Sequence, residues 1–389
     1  MYEPVLQRYE ILMRLIRICA KICGADVFDF NYRRNILTYI VFTCIYLYFA
    51  CTIYTVYVNL YIEGEWTQML KTVVMISSGL QGYCKLLNSI DHREQWRYLS
   101  DELYDIYKEY RDQGSEYLAC LHKSMDTVDK SKKFLALAYL MATGSLTVMV
   151  LIYRFAFHQN IFVLQFQMPY IDAKTEQGYL ITNIIHFTCM AFGAFGNYAA
   201  DLFFFMSVSH APLFKDILKC KFHDLNDIIE GRNEENSKNY HILVKDIFLW
   251  HQKYMRFLTT IKQTFFWMIV VQMFTVAFSI VISMFCLILG SWPGGHSYLG
   301  YCFVTMYLYC GLGTVVEVAN DGIIEACYNE IIWYKMPLTD RKTLQIMLMM
   351  AQNTDGLTIG AITPLTMHTA LEWTKTIYSI TMMLMKFLD

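Results

Sequence analysis

From Gln263 to Val316 the chain runs for 54 residues without an Asp, Glu, Lys or Arg. A soluble helix has to show water a polar face, so a charge-free run of that length belongs in lipid. One small polar knot interrupts it at 291–297, where Pro293, Gly294 and Gly295 supply a tight turn. The run therefore reads as two membrane passes joined by a short loop. Composition agrees: 17 % of the 389 residues are charged, against about 25 % in ordinary soluble domains, and 56 % are hydrophobic. A net charge of -2 argues against a nucleic-acid binder.

Strong spans are expected near 36–58, 134–157, 178–205, 264–289 and 298–324. Each is built on about 20 charge-free residues, enough for ~30 Å of hydrocarbon at ~1.5 Å per residue. Two further spans are weaker. Segment 66–90 has 13 uncharged residues between Lys71 and Lys85, lysines able to snorkel towards opposite faces of the bilayer. Segment 364–388 carries Glu372 and Lys375 one turn apart. The distribution of basic residues arbitrates. With seven passes and a cytosolic N-terminus, the inner segments hold 26 Lys and Arg and the outer segments 4. Deleting the second span puts the loop 91–133 outside and destroys that asymmetry. The expectation is an all-α membrane protein in one domain, 1–389, with seven transmembrane helices, a cytosolic N-terminus and an extracellular C-terminus. This orientation opposes a G-protein-coupled receptor, whose N-terminus lies outside.

Residues 1–23 mix Arg8, Arg14, Arg17 and Lys21 into an amphipathic pattern and read as a cytosolic surface helix, not a cleavable leader. The loop 91–133, with ten acids and eight bases, predicts helices that prolong the second and third spans. Segment 231–238 (GRNEENSK) reads as a disordered tip. A helix over 241–262 is expected to run into the fifth span. A short cytosolic helix at 339–352 sets Leu344, Met347, Leu348 and Ala351 on one stripe, with Ile346, Met349 and Met350 on other faces. Burial on more than one side predicts a cytosolic anchor packed against another subunit or a companion bundle.

Seven of the twelve cysteines fall inside spans and the other five in inner loops, so structural disulfides are not expected. Cys19 and Cys23 share a helix face without a His or third Cys, which makes them small core residues sooner than a metal site. No metal and no cofactor is expected. Nucleophile elbows, phosphate loops and metal-ligand clusters are absent from the sequence, which speaks against an enzyme. Asp201 and Lys85, near the inner ends of the fourth and second spans, each demand a partner or water at that depth. Glu317, Asp321 and Glu325 repeat at i, i+4, i+8, one stripe of carboxylates as the sixth span nears the cytosol. Such a stripe either attracts cations to a membrane mouth or caps the helix against basic loops. Glu372 and Lys375 sit at the spacing of an ion pair.

From Tyr309 onward the chain resembles the insect odorant receptor family. The resemblance rests on Tyr309-Cys310-x-x-Gly313, Ala326-Cys327-Tyr328, Trp333-Tyr334, Arg341-Lys342, Gly360 and Lys375-x-x-Tyr378-Ser379. Upstream, Pro169-x-x-Asp172, Asp201-Leu202-Phe203-Phe204 with His210, and His251 fit the same pattern. Thr314 and Ile380 depart mildly from it. The final span lacks the Thr-Tyr and Gln-Phe pairs of the related gustatory receptors. The modest 206–262 loop is shorter than that of the family's co-receptor, so the resemblance is to a ligand-tuning subunit.

What the resemblance implies is a subunit of a heterotetrameric, odorant-gated, non-selective cation channel. The partners are the odorant receptor co-receptor, a small volatile odorant, the lipid bilayer and permeating cations. The expected home is the cell membrane of the olfactory sensory neuron dendrite. A membrane transporter is the other class weighed. An apolar pocket in the outer half of spans two to six is expected to use Met75, Ser78, Val150, Tyr153, Ile185, Met190, Phe274, Phe278, Met306 and Tyr309. In the last span Thr381, Met382, Met385 and Lys386 are the expected pore residues, with Met382 as a dry constriction.

Overall fold

The computed structural model describes residues 4–171, 175–231, 237–290, 292 and 294–386. Asp172 and the centre of the expected disordered tip (232–236) lie outside the described residues. Helices follow in the order α1 (Val5–Ile22), α2 (Ile36–Tyr57), α3 (Trp66–Asp91), α4 (Arg93–Tyr110), α5 (Ser115–Phe155) and α6 (Glu176–Ser209). Then come α7 (Ala211–Ile229), α8 (Ser237–Ile288), α9 (Gly295–Asn329) and α10 (Leu338–Gln352). A two-stranded hairpin, β1 (Thr358–Ile359) and β2 (Thr363–Pro364), leads into α11 (Met367–Lys386). Helices α2, α3, α5, α6, α8, α9 and α11 are the seven spanning elements.

Local chemistry sets the breaks. Asn35 and Thr38 form a reciprocal cap on α2: Asn35 Oδ1 accepts from the Thr38 N–H at 2.8 Å and Thr38 Oγ1 from the Asn35 N–H at 3.3 Å. Thr175 Oγ1 caps α6 by accepting from Gly178 N–H at 3.1 Å. That helix stops at His210 because Pro212, in the first turn of α7, has no N–H to extend the ladder.

Among the described residues, five helices are long and apolar enough to cross a membrane by length and composition. The other two handle their charges differently. Helix α3 turns both lysines inward, leaving Lys71 6 % and Lys85 2 % exposed, where snorkelling to the two bilayer faces is the sequence expectation. Lys71 donates to Gln68 at 3.1 Å and Lys85 meets Asp201, so each finds a partner within the bundle. Helix α11 keeps Glu372 and Lys375 on its surface, paired at 3.0 Å.

The long helices outrun the bilayer. At ~1.5 Å per residue the 52 residues of α8 reach about 78 Å, against about 30 Å of hydrocarbon. The excess gathers at one end with α1, α4, α7 and α10, here called the extension end. Ion pairs stitch it: Arg8 to Asp126 at 2.7 Å and Asp129 at 2.6 Å, Lys253 to Glu102 at 2.6 Å, and Lys219 to Glu330 at 2.8 Å. Arg341 donates to the carbonyls of Tyr334 (2.6 Å) and Met336 (2.7 Å), holding the turn at Trp333–Lys335 against α10.

At the opposite end the α5–α6 connection folds back into the bundle. Val163 and Phe166 are buried, and Phe166 packs edge-on against Tyr48 at 5.4 Å. Thr72 donates to the Gln165 carbonyl at 2.7 Å, and Gln167 N–H donates to Thr55 at 2.7 Å. Beside the hairpin, Gly313 of α9 has no room for a side chain, because a Cβ there would lie 1.7 Å from the Leu365 carbonyl oxygen.

Candidate functional site

A cavity of about 210 Å³ runs between α1, α2, α3, α4, α5, α6 and α9. Glycines shape it: Gly193 leaves open space, whereas Gly79, Gly82 and Gly196 let Tyr48, Asn197 and Cys23 approach closely. Helix α3 contributes Gly79 and Gly82, and α6 contributes Gly193 and Gly196, each pair three residues apart and so on one helix face. Aromatic residues Tyr48, Trp96 and Tyr298 and the thioethers of Met75 and Met190 complete an apolar wall, with Leu164 of the infolded connection closing over it. From Met75 to Ser89 the lining follows α3 for about 21 Å. Cys23, which follows α1, belongs to the wall at the extension end; burial pushes its thiol up to about 12.

The polar centre is Asp201 on α6, fully buried. Lys85 of α3 approaches Oδ1 at 2.7 Å, Tyr309 of α9 donates to Oδ1 at 2.6 Å, and Tyr139 of α5 donates to Oδ2 at 2.7 Å. One carboxylate thus ties together four helices. Lys85 and Tyr139 also line the cavity, so this cluster forms part of its wall. Beyond it the aromatic run packs tightly. Phe203 stacks on Trp96 at 4.4 Å, and Phe204 stacks on Tyr309 at 5.2 Å. His210 Nδ1 donates to the Met206 carbonyl at 2.6 Å, and its Nε2 accepts from Tyr107 at 3.0 Å.

Of the residues singled out for the pocket, Met75, Ser78 and Met190 line the cavity. Val150 and Met306 are buried in the core away from it, and Tyr309 spends its hydroxyl on Asp201. Ile185 and Tyr153 are half-buried outside the wall, with Tyr153 against Phe157 at 5.2 Å. Phe274 and Phe278 stand on the outer surface of α8, Phe274 facing Trp373 of α11 at 5.8 Å. On α11, Thr381 is buried and bonds back to the Ile377 carbonyl at 2.9 Å, Met382 and Lys386 are exposed, and Met385 is half-buried. Glu317, Asp321 and Glu325 are exposed along α9, and among the described residues none pairs with a basic side chain.

The glycine pairs, Lys85, Asn197 and Leu164 are wall residues that the sequence reading leaves out. Two signals point to them: glycines three apart within each of two apolar spans, and the apolar stretch Ile161–Leu164 inside a nominal loop.

The profile of the 7tm odorant receptor family matches residues 65–378. The chain is 26 % identical over 396 residues to the putative odorant receptor 83c of Drosophila melanogaster, covering 98 % of each. Its fold is similar to that of the insect olfactory receptor OR5 from Machilis hrabei in complex with eugenol, with a TM-score of 0.82 and 14 % identity over 99 % of this chain and 100 % of that one. A second structure of the same OR5 gives a TM-score of 0.80 at 15 % identity, over 98 % of this chain and 99 % of that one. The structural likeness speaks for the fold, and the profile match, over most of the chain, speaks for descent. The chain belongs to the 7tm odorant receptor family, and it is a multi-pass, seven-helix membrane receptor for odorants, not an enzyme.

Proposed function

We propose that this chain is the ligand-tuning subunit of a heteromeric, odorant-gated, non-selective cation channel in the dendritic membrane of olfactory sensory neurons. The carrying observation is an apolar cavity, in an odorant receptor, whose wall includes residues of seven helices and one infolded loop. Such a wall suits a small, largely hydrophobic volatile, held by packing with few polar handles. The relative from Machilis hrabei is in complex with eugenol, a small aromatic molecule of that kind. In this reading the extension end, rich in Lys and Arg, lies in the cytosol.

Gating follows from differential affinity: a ligand that fits the dilated arrangement of α3, α6 and α9 better shifts the closed–open equilibrium towards it. Helix α11 leaves Tyr378, Met382 and Met383 uncovered in the single chain, which supports a place for it against neighbouring subunits. There Thr381, Met382, Met385 and Lys386 line the pore, and Met382 supplies the apolar constriction. The carboxylates Glu317, Asp321 and Glu325 attract cations at the cytosolic mouth. The co-receptor completes the tetramer.

Voltage-clamp recording of cells expressing the chain with and without the co-receptor, across a panel of small volatiles, tests this reading. The expected result is an odorant-evoked cation current that needs both subunits. Receptor at the cell surface with the co-receptor, yet silent to every volatile while labelled ligand crosses the membrane, would instead establish a transporter.

A further inference from the structure

Two buried polar atoms on the seam between α3 and α6 have no hydrogen-bond partner among the described residues, and both belong to residues that line the cavity. One is Lys85 Nζ. It lies 2.7 Å from Asp201 Oδ1 in a contact off its bonding direction, so the pair is ionic and the ammonium keeps donors to spare. The other is Asn197 Oδ1, whose amide nitrogen donates one N–H to the Gly193 carbonyl at 2.8 Å. Asn197 and Asp201 are four residues apart on α6 and so are neighbours on one face, which places Asn197 within about a turn of Lys85. Several of the other polar lining groups already donate within the fold. Ser78 donates to the Met75 carbonyl at 2.8 Å, Thr143 to the Tyr139 carbonyl at 2.8 Å, and Tyr139 to Asp201.

A spare donor beside a spare acceptor in an apolar cavity specifies the ligand chemistry. We propose that the odorant carries a hydroxyl group that docks on this seam, accepting from Lys85 and donating to Asn197, with its hydrocarbon body among the apolar residues. This rests on the cavity being the odorant site. A ketone of the same size satisfies Lys85 alone, and an alkane satisfies neither, so each leaves costly unpaired groups behind. An anion is disfavoured, because Asp201 already balances Lys85 and a further charge would be buried uncompensated.

The test is a matched series of medium-chain alcohol, ketone and alkane of equal length, applied to cells expressing the full chain with the co-receptor. The alcohol is expected to act at about tenfold lower concentration than the ketone, and the ketone at lower concentration than the alkane. Asn197→Leu, nearly isosteric, is expected to abolish the alcohol's advantage over the ketone. Lys85→Met combined with Asp201→Asn, which leaves no lone buried charge, is expected to bring the ketone down to the alkane. Equal potency of the three compounds on the unaltered receptor overturns the proposal, and that measurement needs no variant to fold. An alcohol preference that survives Asn197→Leu in receptor at the cell surface overturns it too. If no compound evokes current, the thermal stabilisation of the purified chain by the same three compounds reads the ranking without a channel. A ranking there supports the seam while the channel reading fails, and no ranking sinks the seam itself.

Discussion

In the cavity layer α3 and α6 each carry two glycines three residues apart, and a Cβ built at Gly193 meets nothing within 4 Å. Just beyond, from Asp201 to His210, α6 is buried at every position, with its carboxylate held by two tyrosine donors and a lysine and its aromatic rings interleaved with α4, α8 and α9. The first layer gives up packing, the second has almost none to give. A helix that is apolar all round has to be buried all round, and removing a fully packed group from it costs more than adding one to an open wall. The difference teaches where the receptor can respond: an adaptable layer that takes a ligand is anchored to a floor too dense to yield, so that a shift in the first is passed on as movement of whole helices.

Substitutions of graded severity separate the two layers. The largest effect is expected at Gly313, where Gly313→Val sets a side chain against the Leu365 backbone and costs well beyond the about 1–3 kcal/mol of ordinary overpacking. Surface labelling should find little folded receptor. Phe166→Ala, which takes a buried ring from the infolded connection, is expected to cost about 3–5 kcal/mol. A thermal-shift assay in detergent measures it, and an unchanged midpoint would detach this connection from the core.

Tyr309→Phe removes one of the two tyrosine donors to Asp201 and is expected to cost about 1–3 kcal/mol, by the same assay. Gly193→Val should change stability by less than about 1 kcal/mol yet fill the cavity, so surface expression persists while the response to bulkier odorants disappears. An undiminished response to all sizes would place the odorant elsewhere. The smallest effect lies at the extension end. The hydrogen bond from Lys219 holds the Glu330 carboxyl below its ordinary value. The stability it adds is therefore complete above the usual carboxylate range and is lost as pH falls through that range towards the lowered value. The pair is part-exposed and worth less than about 1 kcal/mol, so Lys219→Met should only flatten the acid slope of the thermal midpoint.

Much of the fold is legible in the residues. Charge-free length marks five spans, and the arrangement of lysines and arginines recovers the two that carry charge, because lipid leaves so few ways to satisfy a backbone. Asp201 and Lys85 announce themselves as a problem in need of a partner, and the fold answers by pairing them. Their two tyrosine donors come from helices 62 and 108 residues away from Asp201, which no spacing rule reaches. The cavity is less legible still. Periodicity tells which faces are apolar, and it favours large side chains such as Phe274 and Phe278, which in the folded chain look outward. Its shape owes much to glycines, which leave space at Gly193 and admit close neighbours at Gly79, Gly82 and Gly196.

By itself the sequence determined the solvent in which this protein lives, the number of its passes and the family to which it belongs. Each of these depends on composition along a single helix or on local motif order. Only the tertiary structure decided which apolar faces meet, that the α5–α6 connection folds inward, and that a lysine and an asparagine from different spans border one hollow. Those facts depend on the rotation of each helix about its axis, and that rotation is set by the packing of all the helices together.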